Sequence, residues 1–494
     1  MINKSIKIRL PYKIRTLIGA LLIFMLCQPH YGYAARKGGG LAILRDAEIE
    51  RTIRHMAEPI LKAAELDKNS VSTYLINDDS LNAFVAGGQN IFFHSGLLIQ
   101  AKDANQVIGV IAHETGHITG GHLSRFSDGI QSATVMTLLG AILGAAAIAA
   151  GSGDAGMALI LGGQQIGTRT FLKYSRTQES AADQAGLTFL EKTGQSGIGL
   201  IDFLDYLGDQ ELMTARYRDP YAGTHPVSGQ RISKLRDRVE NSPYYKTKTP
   251  VALENEFKRL QAKLYGYLKP PYATLNKYPE KDQSLYGKYA RSFAFHKQHE
   301  MKKAIKELDE LLIDNPKDPY FWETKGQILF ENGFVKESIT PYRNAVKNLP
   351  DEPLIRVSLA QSLIATEDNQ YLDEALLNLE YAISRDPHNS FAWHQASVAY
   401  HRKENAAMTY YATAERFLLV GNLRGAMINA KHAVESLPKD IPQWVRAQDI
   451  LVVTESNMSD KSREKLEKEK SEKEKSEKEK RKKLHYDVTR PYQS

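Results

Sequence analysis

The 494-residue chain has a single cysteine, Cys27, and three tryptophans. One cysteine excludes an intramolecular disulfide. It also lies in a segment that export would remove, so the mature chain has neither a thiol nucleophile nor a thiolate metal site. The body of the chain lacks any excess of positive charge. The net +7 comes from the ends: residues 1–34 carry five bases and no acid, residues 461–483 carry 12 bases and 7 acids, and the remainder nets −3. The basic balance therefore gives no support for nucleic-acid binding.

The basic start leads into the apolar run Leu17 to Cys27, and Gly32 and Ala34 then stand three and one residues before a cleavage point at Ala35. This pattern predicts a signal peptide over residues 1–34, because an apolar run of roughly 11 residues is short for a membrane span. At the other end, residues 457–494 read as a charged low-complexity tail with too little apolar surface to fold into a core.

The strongest chemical signal is Val107-Ile-Gly-Val-Ile-Ala-His113-Glu114-Thr115-Gly116-His117. Histidines at i and i+4 share one helix face, so two imidazole nitrogens can meet one zinc ion, with Glu114 placed beside the reacting water. The apolar run before His113 predicts a buried helix, where imidazoles and a carboxylate need partners. Zinc held by two histidines needs a third protein ligand. Glu179 and Asp183, also i and i+4 on a predicted helix, suit a ligand followed by a carboxylate that orients an imidazole. His122 falls off the ligand face and reads as a supporting or structural residue.

Asn82-Ala-Phe84, Gly87-Gly88, Ser95-Gly-Leu-Leu98, His113 to His117, Glu179 to Asp183, and Thr224-His225-Pro226 with Arg231 occur in order over about residues 45–240. In this the chain resembles the zinc metallopeptidases that include HtpX and the CAAX prenyl proteases, and in particular their secreted BepA-like branch, which joins the peptidase to tetratricopeptide (TPR) repeats. The resemblance implies one zinc per chain held by His113, His117 and Glu179, with Glu114 as catalytic base and Asp183 supporting the ligands. It also implies that His225, with Arg231 in the same motif, can approach the zinc as an extra ligand and give a self-inhibited resting state. By analogy with related zinc proteases, Asn82, Ala83 and Phe84 would lie on an edge strand that pairs with an extended substrate; the alternative is an ordinary core strand.

Ala133 to Gly151 carries no charge and is long enough to span a bilayer, but ten of its residues are Ala or Gly. A single crossing there would separate His117 from Glu179, so the stretch reads as a lid-like excursion over 130–167, a core hairpin or a peripheral membrane contact. From Ser284, prolines at 316, 350, 387 and 438 punctuate short helices at intervals of 34, 37 and 51. The first interval is the TPR period, and the third leaves room for about one extra helix. Trp322, Trp393 and Trp444 stand six residues past three of these prolines, and Ala304, Ser338, Ala375 and Ala426 twelve before the four.

The expected architecture is α+β: a mainly helical, zincin-type (gluzincin) metallopeptidase domain at 35–265, a linker at 266–283, and an all-α TPR solenoid at 284–456. The expected function is a periplasmic zinc endopeptidase that acts on protein or peptide substrates. Its repeat groove would engage the outer-membrane protein assembly machinery, and it would degrade misfolded precursors. The competing expectation is a periplasmic TPR scaffold or chaperone whose zinc site is largely held shut.

Overall fold

A computed structural model of the chain describes residues 42–67, 70–122, 134–135, 137–139, 141–142, 153–211, 225 and 229–457. The expected signal peptide at 1–34, most of the 133–151 stretch and the charged tail beyond residue 457 lie outside the described residues. The chain divides into two units at Leu44. Of the first, the described part contains only the two-residue strand β1 (Ile43–Leu44).

In the second unit, β2 (Ser72–Ile76) runs parallel to β4 (Asn90–His94), with Ser72 opposite Asn90. β3 (Ala83–Ala86) pairs antiparallel with the other side of β4, Ala83 opposite Phe93, and forms an edge of the sheet. Gly87 and Gly88, both at positive φ, make the turn between them, a conformation that side chains resist. Alternation along β4 buries Ile91 and Phe93 completely. On its opposite face Phe92 stacks between Tyr74 and Phe84, with ring centroids 5.1 and 5.2 Å apart.

Helix α1 (Ala47–Ala63) is capped by the Asp46 side chain. After the short α2 (Ser95–Gln100) comes α3 (Ala104–Thr119), the helix that carries His113 and His117. Asp103 caps α3 by accepting from the Gln106 N–H at 3.0 Å. Val107, Ile108, Val110, Ile111 and Ala112 are fully buried, as their unbroken apolar run requires. Helices α4 (Gly153–Lys192) and α5 (Ile198–Glu211) pack against α3 at backbone distance. A Cβ at Gly116 would stand 2.4 Å from the Ala182 carbonyl oxygen, and one at Gly109 would stand 2.7 Å from the Leu200 nitrogen. Gly116→Ala must therefore push α3 away from α4. It is expected to destabilise the protein by about 1–3 kcal/mol, read as a lower urea midpoint; an unchanged midpoint would refute the close approach.

Helices α6 (Gly229–Glu240), α7 (Val251–Leu268) and α8 (Pro271–Lys277) follow. The segment read as a linker at 266–283 thus includes the end of α7 and all of α8, because Pro270 and Pro271 start a new helix at its N-terminal end, where proline is tolerated. A helical series then runs through α9 (Leu285–Lys297), α10 (Met301–Asp314), α11 (Pro319–Glu331), α12 (Val335–Asn348), α13 (Pro353–Ala365), α14 (Leu372–Arg385), α15 (Ser390–Arg402), α16 (Ala406–Leu419), α17 (Leu423–Ser436) and α18 (Pro442–Asn457). Each helix packs against the next. Ala304, Ser338, Ala375 and Ala426 are all fully buried where neighbouring helices meet.

The six-residue spacing from proline to tryptophan has a direct cause. The Trp322 indole N–H donates to the Pro316 carbonyl at 2.8 Å, and Trp393 donates to Pro387 at 2.9 Å. In the repeat without tryptophan, Arg356 donates to Pro350 at 2.7 Å and fills the same role. Trp444 departs from the pattern and donates to Val434. The 51-residue interval holds three helices, α15 to α17, where the others hold two.

The half that holds the sheet and the helical series meet at the start of α1. Arg259 of α7 pairs with Glu48 and grips both oxygens of Asp318, while Lys263 lies 2.7 Å from Asp46 and the Tyr289 hydroxyl donates to Glu48 at 2.8 Å. Ala47 packs with Ala345 and Ile355, and Arg45 reaches Asp386 at 2.8 Å.

Candidate metal centre

α3 projects His113 and His117 from one face, one helical turn apart, and α4 supplies Glu179 and Asp183 from the facing side. His113 Nε2 lies 3.1 Å from His117 Nε2 and 3.4 Å from Glu179, and His117 Nε2 lies 3.3 Å from Glu179. His225 joins them from the segment that precedes α6 in the chain. Its Nδ1 is 3.1 Å from both Glu179 oxygens and 3.3 Å from His113 Nε2. The ligand-type atoms of His113, His117, Glu179 and His225 all fall within 4.8 Å of one another, a spacing that a single metal ion bridges.

The surroundings fix these groups. Asp183 Oδ1 stands 2.9 Å from His113 Nδ1, the nitrogen turned away from the cluster. Arg231 of α6 forks onto Asp183 at 2.5 and 2.7 Å and extends a third nitrogen to Glu179 at 3.1 Å. Burial opposes charge on His113, but its contacts with Asp183 and Glu179 outweigh this and lift its pKa to about 10. Burial presses His117 down to about 3. Burial would also raise Glu179, yet the imidazoles around it, His225 foremost, hold it well below the usual carboxylate range.

Glu114 meets this network only through a longer approach, 3.7 Å from His225 Nε2. It is fully buried, neither carboxylate oxygen has a hydrogen-bond partner among the described residues, and burial pushes its pKa up. A buried carboxylate without a hydrogen bond, beside a cluster of metal-type donors, is costly unless a cation or a water makes up the missing contacts. The donor set of three imidazoles and a carboxylate is one that zinc favours. The residues present therefore fit a zinc site.

Of the remaining candidates, Ala83 and Phe84 lie on edge strand β3, which packs beside α3, and Asn82 precedes it. Asn82 and Ala83 are buried and Phe84 is half-buried, with Asn82 Oδ1 unpaired among the described residues. His122, expected to be a supporting or structural residue, contacts the outward nitrogen of His117 at 2.9 Å. The paired glycines Gly120 and Gly121 were the available signal, since they end a helix and let the chain turn back.

Residues 44–239 match the model of peptidase family M48. They are an M48 peptidase domain. The chain is also similar, over about four-fifths of its length, to two β-barrel assembly-enhancing proteases. That of Escherichia coli strain K12 is 25% identical over 405 residues, covering 80% of each chain. That of Yersinia pestis is 23% identical over 403 residues, covering 80% of this chain and 81% of its own. The metalloprotease YcaL of Escherichia coli K12 is 32% identical over 170 residues, or 34% of this chain and 60% of YcaL. The M48 assignment makes this protein a zinc metallopeptidase, and the donor cluster lies inside the matched residues.

Proposed function

We propose that this chain is an exported zinc endopeptidase that supports β-barrel assembly at the outer membrane and degrades stalled or misfolded precursors in the periplasm. The buried Glu114, without a hydrogen bond beside the four-donor cluster, carries the enzymatic part of the reading. The similarity to β-barrel assembly-enhancing proteases over 80% of the chain supports the setting. In this reading residues 1–34 are the export signal. The series from Leu285 to Asn457 is a TPR solenoid joined to the peptidase at the Arg259 and Lys263 contacts, and its groove docks the assembly machinery. The exposed Val135, Leu138, Leu139 and Ile142 support a peripheral contact of the 133–151 stretch with a membrane surface. No helix among the described residues is long and apolar enough to cross a membrane.

His113, His117 and Glu179 would hold the zinc. Bound zinc supplies Lewis acidity, polarising the scissile carbonyl and making water easier to deprotonate. Glu114 takes the proton as the water oxygen bonds to the carbonyl carbon, then delivers it to the amine nitrogen as the C–N bond breaks. A pKa raised by burial suits a carboxylate that must both accept and return a proton. Asp183, itself clamped by Arg231, fixes the outward nitrogen of His113. The place of β3 at the edge of the sheet among the described residues, beside α3, supports substrate binding as an added strand at Asn82, Ala83 and Phe84. The purified mature protein should contain one zinc per chain and cleave casein; absence of either would overturn the reading.

His225 brings regulation into the proposal. Its Nδ1 touches Glu179 and its Nε2 lies 3.7 Å from Glu114, so the ring stands between the ligand carboxylate and the base. That placement supports a resting state in which His225 obstructs the reacting water. His225→Ala is expected to raise basal casein cleavage several-fold at unchanged zinc content. Lower cleavage with zinc retained would count against it.

A further inference from the structure

His117 turns Nε2 into the donor cluster, and its other ring nitrogen, Nδ1, lies 2.9 Å from Nδ1 of His122. The two rings meet edge to face, with centroids 4.9 Å apart and planes at 80°. Had α3 continued, a residue five places past His117 would point roughly 140° away from it. The chain stops the helix instead. Gly120 and Gly121 close it with N–H bonds to Gly116 and Ile118, and Gly121 takes a φ of +61° that swings the next residue back. Gly120 must lack a side chain for the fit, because a Cβ there would stand 2.3 Å from His122 Nε2.

We infer that His122 is a positioning residue for the zinc site, holding His117 in the tautomer and ring orientation that aim its Nε2 lone pair at the metal. Only one proton fits between two nitrogens 2.9 Å apart. An imidazole that ligates through Nε2 carries its proton on Nδ1, so His117 donates and His122 accepts. The two histidines of the α3 motif are thus oriented by different means. His113 leans on the Asp183 carboxylate, and His117 leans on a neutral ring that the Gly120–Gly121 turn delivers.

The inference rests on His117 being a zinc ligand, and the test separates the two. His122→Phe keeps the ring but removes the acceptor; His122→Gln restores an acceptor oxygen; His117→Ala removes the ligand itself. Zinc affinity is measured on the full mature chain by chelator competition, the visible spectrum is recorded after cobalt substitution, and thermal midpoints are taken without metal. His122→Phe should weaken zinc binding about 10- to 100-fold and alter the cobalt spectrum at an unchanged metal-free midpoint, while His122→Gln recovers most of the affinity. Wild-type affinity and spectrum in His122→Phe would overturn the inference. So would equal weakening in both His122 variants with a lowered metal-free midpoint, which would mark a packing role only. Undiminished zinc binding in His117→Ala would instead overturn the ligand assignment beneath it.

Discussion

Glu114→Gln is expected to reduce kcat/KM for casein by about a hundredfold to ten-thousandfold while leaving one zinc per chain. Glutamine has nearly the same size and shape as glutamate but cannot accept the proton. The substitution should also be easy for the fold, since it exchanges a fully buried carboxylate without a hydrogen bond for a neutral amide. Glu114 is not one of the four clustered donors, so the metal should stay. Metal analysis and steady-state kinetics on the same preparation check both halves. Activity within tenfold of wild type would remove Glu114 from the chemistry. The same variant separates catalysis from docking: full rescue of an envelope defect by Glu114→Gln would show that the protein acts mainly through its helical series.

The second large effect is structural. Arg259→Met should lower unfolding stability by about 3 kcal/mol, because it takes the guanidinium out of a buried charge cluster and leaves Glu48, 3% exposed, to Lys263 and the Tyr289 hydroxyl, and the Asp318 carboxylate to backbone N–H groups. The same change also removes the cation that lies 4.2 Å over the Phe321 ring. Arg236→Met is the control. Arg236 pairs with Asp205 at 2.5 Å, but both side chains are about two-fifths exposed, so that pair should contribute under about 1 kcal/mol. Urea unfolding of the two variants side by side decides the matter. Equal, small losses would mean that the buried contacts at α7 do not lock the peptidase half to the helical series.

The zinc motif was legible because its information is local. A spacing of four residues on one helix puts His113 beside His117, and Glu179 beside Asp183, wherever those helices end up. The helical series was equally legible, since its prolines, tryptophans and small residues recur at the period of the packed helices, and Arg356 shows that the recurring requirement is a donor to the proline carbonyl. The helix α8 inside the expected linker was missed because two prolines read as a break in the chain, although they equally well begin a helix.

What sequence patterns could not reveal depends on where separate segments meet. His122 read only as a supporting or structural residue off the ligand face, because helical periodicity was carried past the point where Gly120 and Gly121 end the helix. Arg259, Glu48 and Asp318 are far apart in sequence, and nothing in their spacing marks them as a buried cluster. The position of His225 between Glu179 and Glu114, and the grip of Arg231 on Asp183, likewise follow from how His225 and α6 meet the residues of α3 and α4. Composition and short-range periodicity specify which residues share a helix face. Burial, and with it which charges are paired and which carboxylate is left without a hydrogen bond, is set only when the helices pack.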